Sequence, residues 1–525
     1  MSILKFLIPS WHEFYSILML LFITYFFLFS GSLITKNKNL IFNFCIGWSL
    51  FNIINLIFTI ILKIDIEKSL YLYILILTFF LIKYLNKSFT PKIKILIFYF
   101  MLPLFLILIS VKTYGYDSFA YILDRFLFLL ENNRFPIKED GIFRSNYTFS
   151  SLLVYYFANF PFKFFIENIP AFFDFILLFI TSLIFLSIFK ENNFSSKIFV
   201  PLSFLLVFFN PMIMNVYSYS SYEDFHVSFV LFAVYLFIYK KKNELLNLNI
   251  KDIFSLGLLM SLLSVTKSSG IVHSISLIIG LFFFIFVLRK NNNKIINIIL
   301  FLFLCFLSFI IWNYHLIIND VPSRITFYGL RYQVLSNFLQ NYYLQFLEKK
   351  ILLSFNLIFL VIPFFSLFFK NLLKRSFDMI LFTFLPLLTW NIFLIFFEVF
   401  IQSESHALNL HNYFRFISQY SIVFSFLILL ILIDLRIFLF KNLSFNLKNF
   451  YHLICVIFII ITLLNFKKIR RDLNYQDLTS RFILYNYHIN QKVIPQANNE
   501  YQFVFFRFYK KNIFKKNFEL NYFIY

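Results

Sequence analysis

The sequence predicts an all-α polytopic membrane protein of about 14 transmembrane helices, and three observations lead there. Apolar residues fill 60% of 525 positions and charged residues only 14%, too few to clothe a soluble domain. Apolar runs long enough to cross ~30 Å of hydrocarbon as helices recur from the N-terminus to about residue 466. No segment alternates at the roughly ten-residue spacing of an outer-membrane strand, so a helical bundle is expected.

Spans are expected near 14–35, 40–62, 69–85, 93–111, 170–189, 198–215, 225–240, 252–266, 269–288, 295–317, 351–369, 377–400, 413–435 and 450–466. The first follows a short basic start but has no A-x-A cleavage site, because Ser30, Gly31 and Ser32 run directly into Leu33 and Ile34; it reads as a retained span. Three segments follow: N-terminal transmembrane helices over 1–92, a transmembrane core over 93–466, and a basic tail or small appended domain over 467–525. The tail holds strand-like pieces such as YQFVFFRFY, Tyr501 to Tyr509.

Basic residues in short loops stay cytoplasmic, and here they mark every second connection. Lys36 and Lys38, Lys83 to Lys94, Lys190 and Lys197, Lys240 to Lys242, Arg289 to Lys294, Lys370 to Arg375, and Lys441 and Lys448 set this register. It places the stretch KTYGYDSFAYILDRFLFLLENNRFP, Lys112 to Pro136, outside. The register requires Phe149 to Phe165 not to cross, so this segment is expected as a helix lying in the interface. KKIRRD, Lys467 to Asp472, is the exception to the bias. Loop lysines account for most of the +22 charge, and there is no soluble basic domain to bind nucleic acid. Cys45, Cys305 and Cys455 lie far apart within apolar spans, as packing residues without a disulfide framework.

Read as a helix, the Lys112 stretch gathers Asp117, Tyr121, Asp124 and Arg125 within an arc of roughly 100°, with Phe119, Ile122, Leu123, Phe126 and Leu130 opposite. An amphipathic helix at the membrane surface is expected, its carboxylates, phenol and guanidinium facing a cavity; Asp117 also suits an N-cap. Downstream, Glu223 and Asp224 open a span, VTKSSG (Val265 to Gly270) joins two spans, and SESHALNLHNYFRF (Ser403 to Phe416) leads into a late one. Four polar constellations are thereby predicted on one side of the membrane.

This order resembles the GT-C superfamily of membrane glycosyltransferases, which includes protein O-mannosyltransferases and the transferases that decorate lipid A. The opening stretch is most similar to bacterial members whose first large loop reads W-D-S-x-x-Y-H-L-P-R, with Asp117, Ser118, Tyr121, Leu123 and Arg125 in register. Ile122 replaces that pattern's His and Asp124 its Pro. Looser matches are Pro211 with Asp224, Lys267 with Gly270 in a K-x-x-G turn, and Tyr413 with Arg415 at the entry to a late helix.

The resemblance implies a GT-C-like fold in the inner (plasma) membrane, with its active site on the extracytoplasmic face. It implies a polyprenyl-phosphate sugar as donor and a glycan, lipid or protein as acceptor, among membrane lipids. An inverting displacement needs a carboxylate to take the acceptor's proton; Asp117 is the first choice, with Asp224 and Asp124 as companions. Arg415, Arg125 and Lys267 are the candidates to balance the departing phosphate, and Tyr121, Glu223, Arg324 and Arg331 to contact substrate. No cofactor motif is evident. His226, His273 and His315 lack ligand spacing, and a divalent metal is not indicated. Two other classes remain open: a flippase or transporter of lipid-linked sugars, and an O-antigen-type polymerase or ligase.

Overall fold

In the computed structural model, the described residues are 9–35, 39–83, 104–111, 122–142, 145–160, 166–192, 199–213, 222–242 with 244, 249–284, 295–321 with 329, 331, 332 and 334, 350–373, 375–401, 413–435, and 457, 460, 461, 464, 465 and 502. Of these 82% are helical and none is in a strand. Asp117, Tyr121, Arg324, the fourth and last expected spans except for a few residues, and nearly all of the tail lie outside the described residues.

The helices are α1 (Trp11–Thr35), α2 (Leu40–Leu56, extended by a π-helical turn Ile57–Ile61), α3 (Ile66–Lys83), α4 (Leu123–Asn132), α5 (Ser150–Asn159), α6 (Ile169–Glu191), α7 (Phe199–Phe208), α8 (Asp224–Lys241), α9 (Ile250–Thr266), α10 (Gly270–Phe282), α11 (Ile295–Ile318), α12 (Lys350–Ser366), α13 (Phe377–Phe400), α14 (Tyr413–Ile417) and α15 (Ser421–Asp434). The other expected spans each fall on one of these, except 413–435, which takes in α14 and α15 joined by a 3-10 turn (Ser418–Tyr420), and α7 is shorter than expected. Among the described residues, six segments are long and apolar enough to cross a membrane: α1, Leu40–Ile61, α6, Ile299–Ile318, α13 and Arg415–Asp434.

Helices α1 and α2 pack backbone to backbone. A Cβ on Gly47 would lie 2.0 Å from the Phe27 carbonyl oxygen, so only glycine permits that approach. The central helices α5, α6, α8 and α9 are buried almost all round, and between its charged ends α8 is apolar apart from His226, Ser228 and its tyrosines.

Charged side chains sort the bundle into two ends. At one end Lys240 meets Glu191 at 2.7 Å, Lys241 meets Asp252 at 3.2 Å and Lys242 meets Asp378 at 3.6 Å. Asp434 accepts the backbone N–H groups of Arg375 and Ser376 there. The end of α6, the end of α8, the start of α9, the start of α13 and the end of α15 therefore share this lysine end. At the other end lie the start of α8, the α9–α10 turn and the start of α14, joined through Asp224. The basic loops at Lys240 to Lys242 and at Arg375 thus share one end of the bundle; the loops around Lys36, Lys87, Arg289 and Lys441 lie outside the described residues.

Two expectations change. The part of the Phe149 to Phe165 segment that is described does not lie on the surface: all ten residues of α5 are buried, while Pro161 to Phe165 lie outside the described residues. At ~15 Å it is too short to cross, and it packs inside because its polar groups find partners there, Ser150 with Asn52, Ser151 with Glu223 and Tyr156 with Asn133, while its remaining side chains are mostly apolar. In α4 the polar arc is likewise divided. Asp124 is half-buried, whereas Arg125 is only 1% exposed, enclosed with Leu123 and Phe126. After α4, Arg134 forks onto Asp140 at 2.7 and 2.8 Å, bracing the loop, and Tyr156 of α5 donates to Asn133.

Candidate functional site

Asp224 stands at the first position of α8 and is 1% exposed. Its Oδ1 accepts from Lys267 Nζ at 2.5 Å and Gln419 Nε2 at 2.6 Å; its Oδ2 accepts from Arg415 Nε at 2.7 Å. Both carboxylate oxygens are thus taken by strong donors, two of them cationic. A buried carboxylate so held stays ionised, because each cation offsets the cost of taking it out of water.

The turn between α9 and α10 delivers Lys267. Lys267 is extended, with φ −158° and ψ 160°, and ends α9; its carbonyl accepts the Gly270 N–H at 2.8 Å. A Cβ on Gly270 would come within 1.8 Å of the Leu263 carbonyl oxygen, so the turn closes only with glycine there. The K-x-x-G spacing is therefore a steric requirement of the turn that aims the lysine at Asp224. Burial pulls the Lys267 ammonium down to about 8, aided by Arg415 and opposed by Asp224.

Aromatic rings form the walls. Lys267 Nζ lies 5.2 Å from the Phe416 ring centre and the Arg415 guanidinium 4.7 Å from that of Tyr222. The cluster opens on its cationic side: the side chains of Lys267 and Arg415 are 9% and 17% exposed against 1% for Asp224. An anion reaching the cluster meets the cations first.

Glu223, one residue earlier, joins the first loop to this centre. Its Oε1 accepts from Ser151 Oγ at 3.0 Å and lies 3.8 Å from Arg125 Nη2. Arg125 Nη1 donates to the Thr148 carbonyl at 2.9 Å, and its guanidinium sits over the rings of Tyr147 and Phe149. Adjacent carboxylates, Glu223 just before α8 and Asp224 at its first position, thereby tie the α4–α5 region to α9, α10 and α14.

The sequence reading does not bring Gln419, Ser269 and Trp390 into the site, and it sets His273 aside for want of ligand spacing. Gln419 donates to Asp224 through Nε2, while its Oε1 lies 2.6 Å from His273 Nε2 and accepts from Ser269 Oγ at 3.2 Å. His273 stacks on Trp390 at 3.8 Å between centroids. The available signal was weak: Gln419 falls four residues after Arg415, about one helical turn. His226, expected to lack ligand spacing, pairs with Asp174 at 2.9 Å, both fully buried between α8 and α6. His315 meets the Pro136 carbonyl oxygen at 3.1 Å. Among the described residues no three His, Cys, Asp or Glu side chains gather as a metal site.

Arg331 stands apart from the Asp224 centre. Its guanidinium donates to the carbonyls of Glu398 and Val399 at 2.7 and 2.8 Å, capping the end of α13. Asp124 makes none of the Asp224 contacts described above.

Fold and site define a class: an all-helical protein with several helices able to cross a membrane, as in a multi-pass membrane protein, and with a buried carboxylate–cation centre at one end of the bundle. Set against protein-family models, curated proteins and solved structures, the chain matches none.

Proposed function

We propose that the chain is a membrane glycosyltransferase of GT-C type, moving a sugar from a polyprenyl-phosphate carrier to a glycan, lipid or protein acceptor. One observation carries most weight: Asp224, Lys267 and Arg415, selected from sequence as parts of one site, meet within 2.7 Å although Asp224 and Arg415 are 191 residues apart. In this mechanism Lys267 and Arg415 bind the donor phosphate and balance the charge that develops as it departs. Asp224 positions both cations; with its two oxygens occupied it is a poor proton acceptor. The base is then Asp117, with Asp124 as its neighbour on the first loop. Glu223 holds Arg125 and, with it, the approach of that loop. The Asp224 end faces the extracytoplasmic side of the inner membrane, because the opposite end carries the loop lysines.

The test is transfer by purified enzyme. We expect activity with a polyprenyl-phosphate sugar and none with a nucleotide sugar alone. Asp117→Asn should lower transfer by about 10²-fold or more with normal abundance. Direct transfer from a nucleotide sugar would overturn the donor assignment, and full activity of Asp117→Asn would overturn the base.

A carrier of lipid-linked sugars is favoured by a different observation, the fully buried Asp174–His226 pair between α6 and α8. Ionisable pairs inside a bundle are common parts of proton-coupled carriers. Flux of a lipid-linked sugar across proteoliposomes, abolished by Asp174→Asn while no glycosidic bond forms, would establish that reading over the first.

A further inference from the structure

Beside the Arg125 anchor lies a small cavity lined by Asn52 of α2, Thr148, Phe149, Ser150 and Leu153, Val265 of α9 and Trp312 of α11, with room for a single water-sized molecule. Two buried polar atoms of its lining residues have no hydrogen-bond partner: Asn52 Oδ1 and Thr148 Oγ1. Asn52 and Thr148 are 1% and 5% exposed, so bulk solvent does not satisfy them. A buried polar group left unpaired is destabilising, and here two such atoms belong to residues that line the same cavity, which calls for an occupant that pairs them.

We infer that this cavity holds one ordered water molecule, which donates to Asn52 Oδ1 and accepts from the Thr148 hydroxyl. The chemistry is complementary: the amide oxygen only accepts, whereas the threonine hydroxyl donates. Ser150 Oγ, already accepting from Asn52 Nδ2 at 2.7 Å, offers a third polar contact on the same wall. Three polar neighbours suit a structural water; an apolar occupant would leave both orphan atoms unpaired. The water fixes Thr148, whose carbonyl holds Arg125, and it lies against Val265, two residues before Lys267. It therefore fastens α2 to the segments that carry two of the site's cations.

Two measurements on the full-length protein decide this. A map of the protein in lipid nanodiscs, at a resolution that shows waters, should contain one peak within about 2.7–3.2 Å of both Asn52 Oδ1 and Thr148 Oγ1. An empty cavity there overturns the inference, as does an Asn52 amide turned onto a protein donor. Thr148→Val gives the second, through the sign of its effect on melting temperature. If water is bound, the methyl removes its donor and leaves Asn52 unpaired, and melting falls; Thr148→Ser keeps the wild-type value. If the cavity is dry, Thr148→Val removes an unsatisfied hydroxyl and melting is unchanged or rises, which overturns the inference. Should Thr148→Val fail to fold, the wild-type map still decides.

Discussion

Arg415 Nε lies 2.7 Å from Asp224 Oδ2, joining the start of α14 to the start of α8 across 191 residues. With Lys267 on the other oxygen, the carboxylate is a clasp between cations supplied by two different parts of the chain. That relationship sets what each substitution should do.

Asp224→Ala leaves Lys267 and Arg415 facing each other without their common partner. Removing one member of a buried ion pair costs about 3–5 kcal/mol, so the variant should unfold at lower denaturant concentration than wild type. Arg415→Lys keeps the charge but loses the planar guanidinium over Tyr222, and is expected to fold with weakened anion binding. Equal stability of Asp224→Ala and wild type would show that the clasp contributes nothing.

Anion binding should depend on pH through Lys267, whose ammonium is pulled from 10.5 to about 8 by burial and by Arg415. Below about 8 the lysine is charged and binds phosphate; as pH rises through that value, affinity for a polyprenyl phosphate should fall. Stability moves the other way. The unfolded chain keeps its lysine proton up to 10.5, so between about 8 and 10.5 it binds more protons than the folded one and stability rises with pH. Lys267→Arg stays charged throughout and should lose this pH dependence of binding. A wild-type affinity that is flat from pH 7 to 10 contradicts the assignment.

Arg125 and Glu223 should be energetically coupled despite a separation of 3.8 Å, because both are nearly fully buried. A double-mutant cycle of Arg125→Met and Glu223→Gln, followed by denaturant unfolding, is expected to give a coupling of about 1–3 kcal/mol. A coupling near zero would mean that the Thr148 carbonyl and the two aromatic rings hold the guanidinium without Glu223.

Glu139 and Glu244 are both exposed, Glu244 beside Lys241 at the lysine end and Glu139 in the turn Lys138–Asp140 after α4. A cysteine at Glu139 should react with an impermeant thiol reagent in intact cells, and one at Glu244 only after permeabilisation. The native Cys45 and Cys305 are buried, and the test is made with Cys455→Ser so that only the introduced cysteine reports. Labelling of both from one side would break the helix alternation; the reverse pattern would invert the proposed orientation.

Composition and periodicity by themselves determined that the chain is a bundle of apolar helices, and they located most of its helices. Burial of apolar surface is additive along a run, so a local window suffices to find it. Loop lysines such as Lys240 and Lys242 also announced which helix ends lie together, because each short basic loop ends one helix and begins another. Lys267 and Gly270 are paired through the resemblance to a K-x-x-G turn, and the turn that needs the glycine is local. What only the tertiary structure decided is how these residues are used. Arg125 sits on the polar arc of its helix by periodicity, yet it is enclosed, because the Thr148 carbonyl and Glu223 are brought to it from 23 and 98 residues away. Gln419 and His273 look like ordinary span residues until folding places them on one oxygen of Asp224 and on Trp390. The helix of Ser150 to Asn159 reads as surface but is covered on every side by its neighbours. A side chain's partners across the chain depend on packing, and packing is a property of the whole bundle that no local window contains.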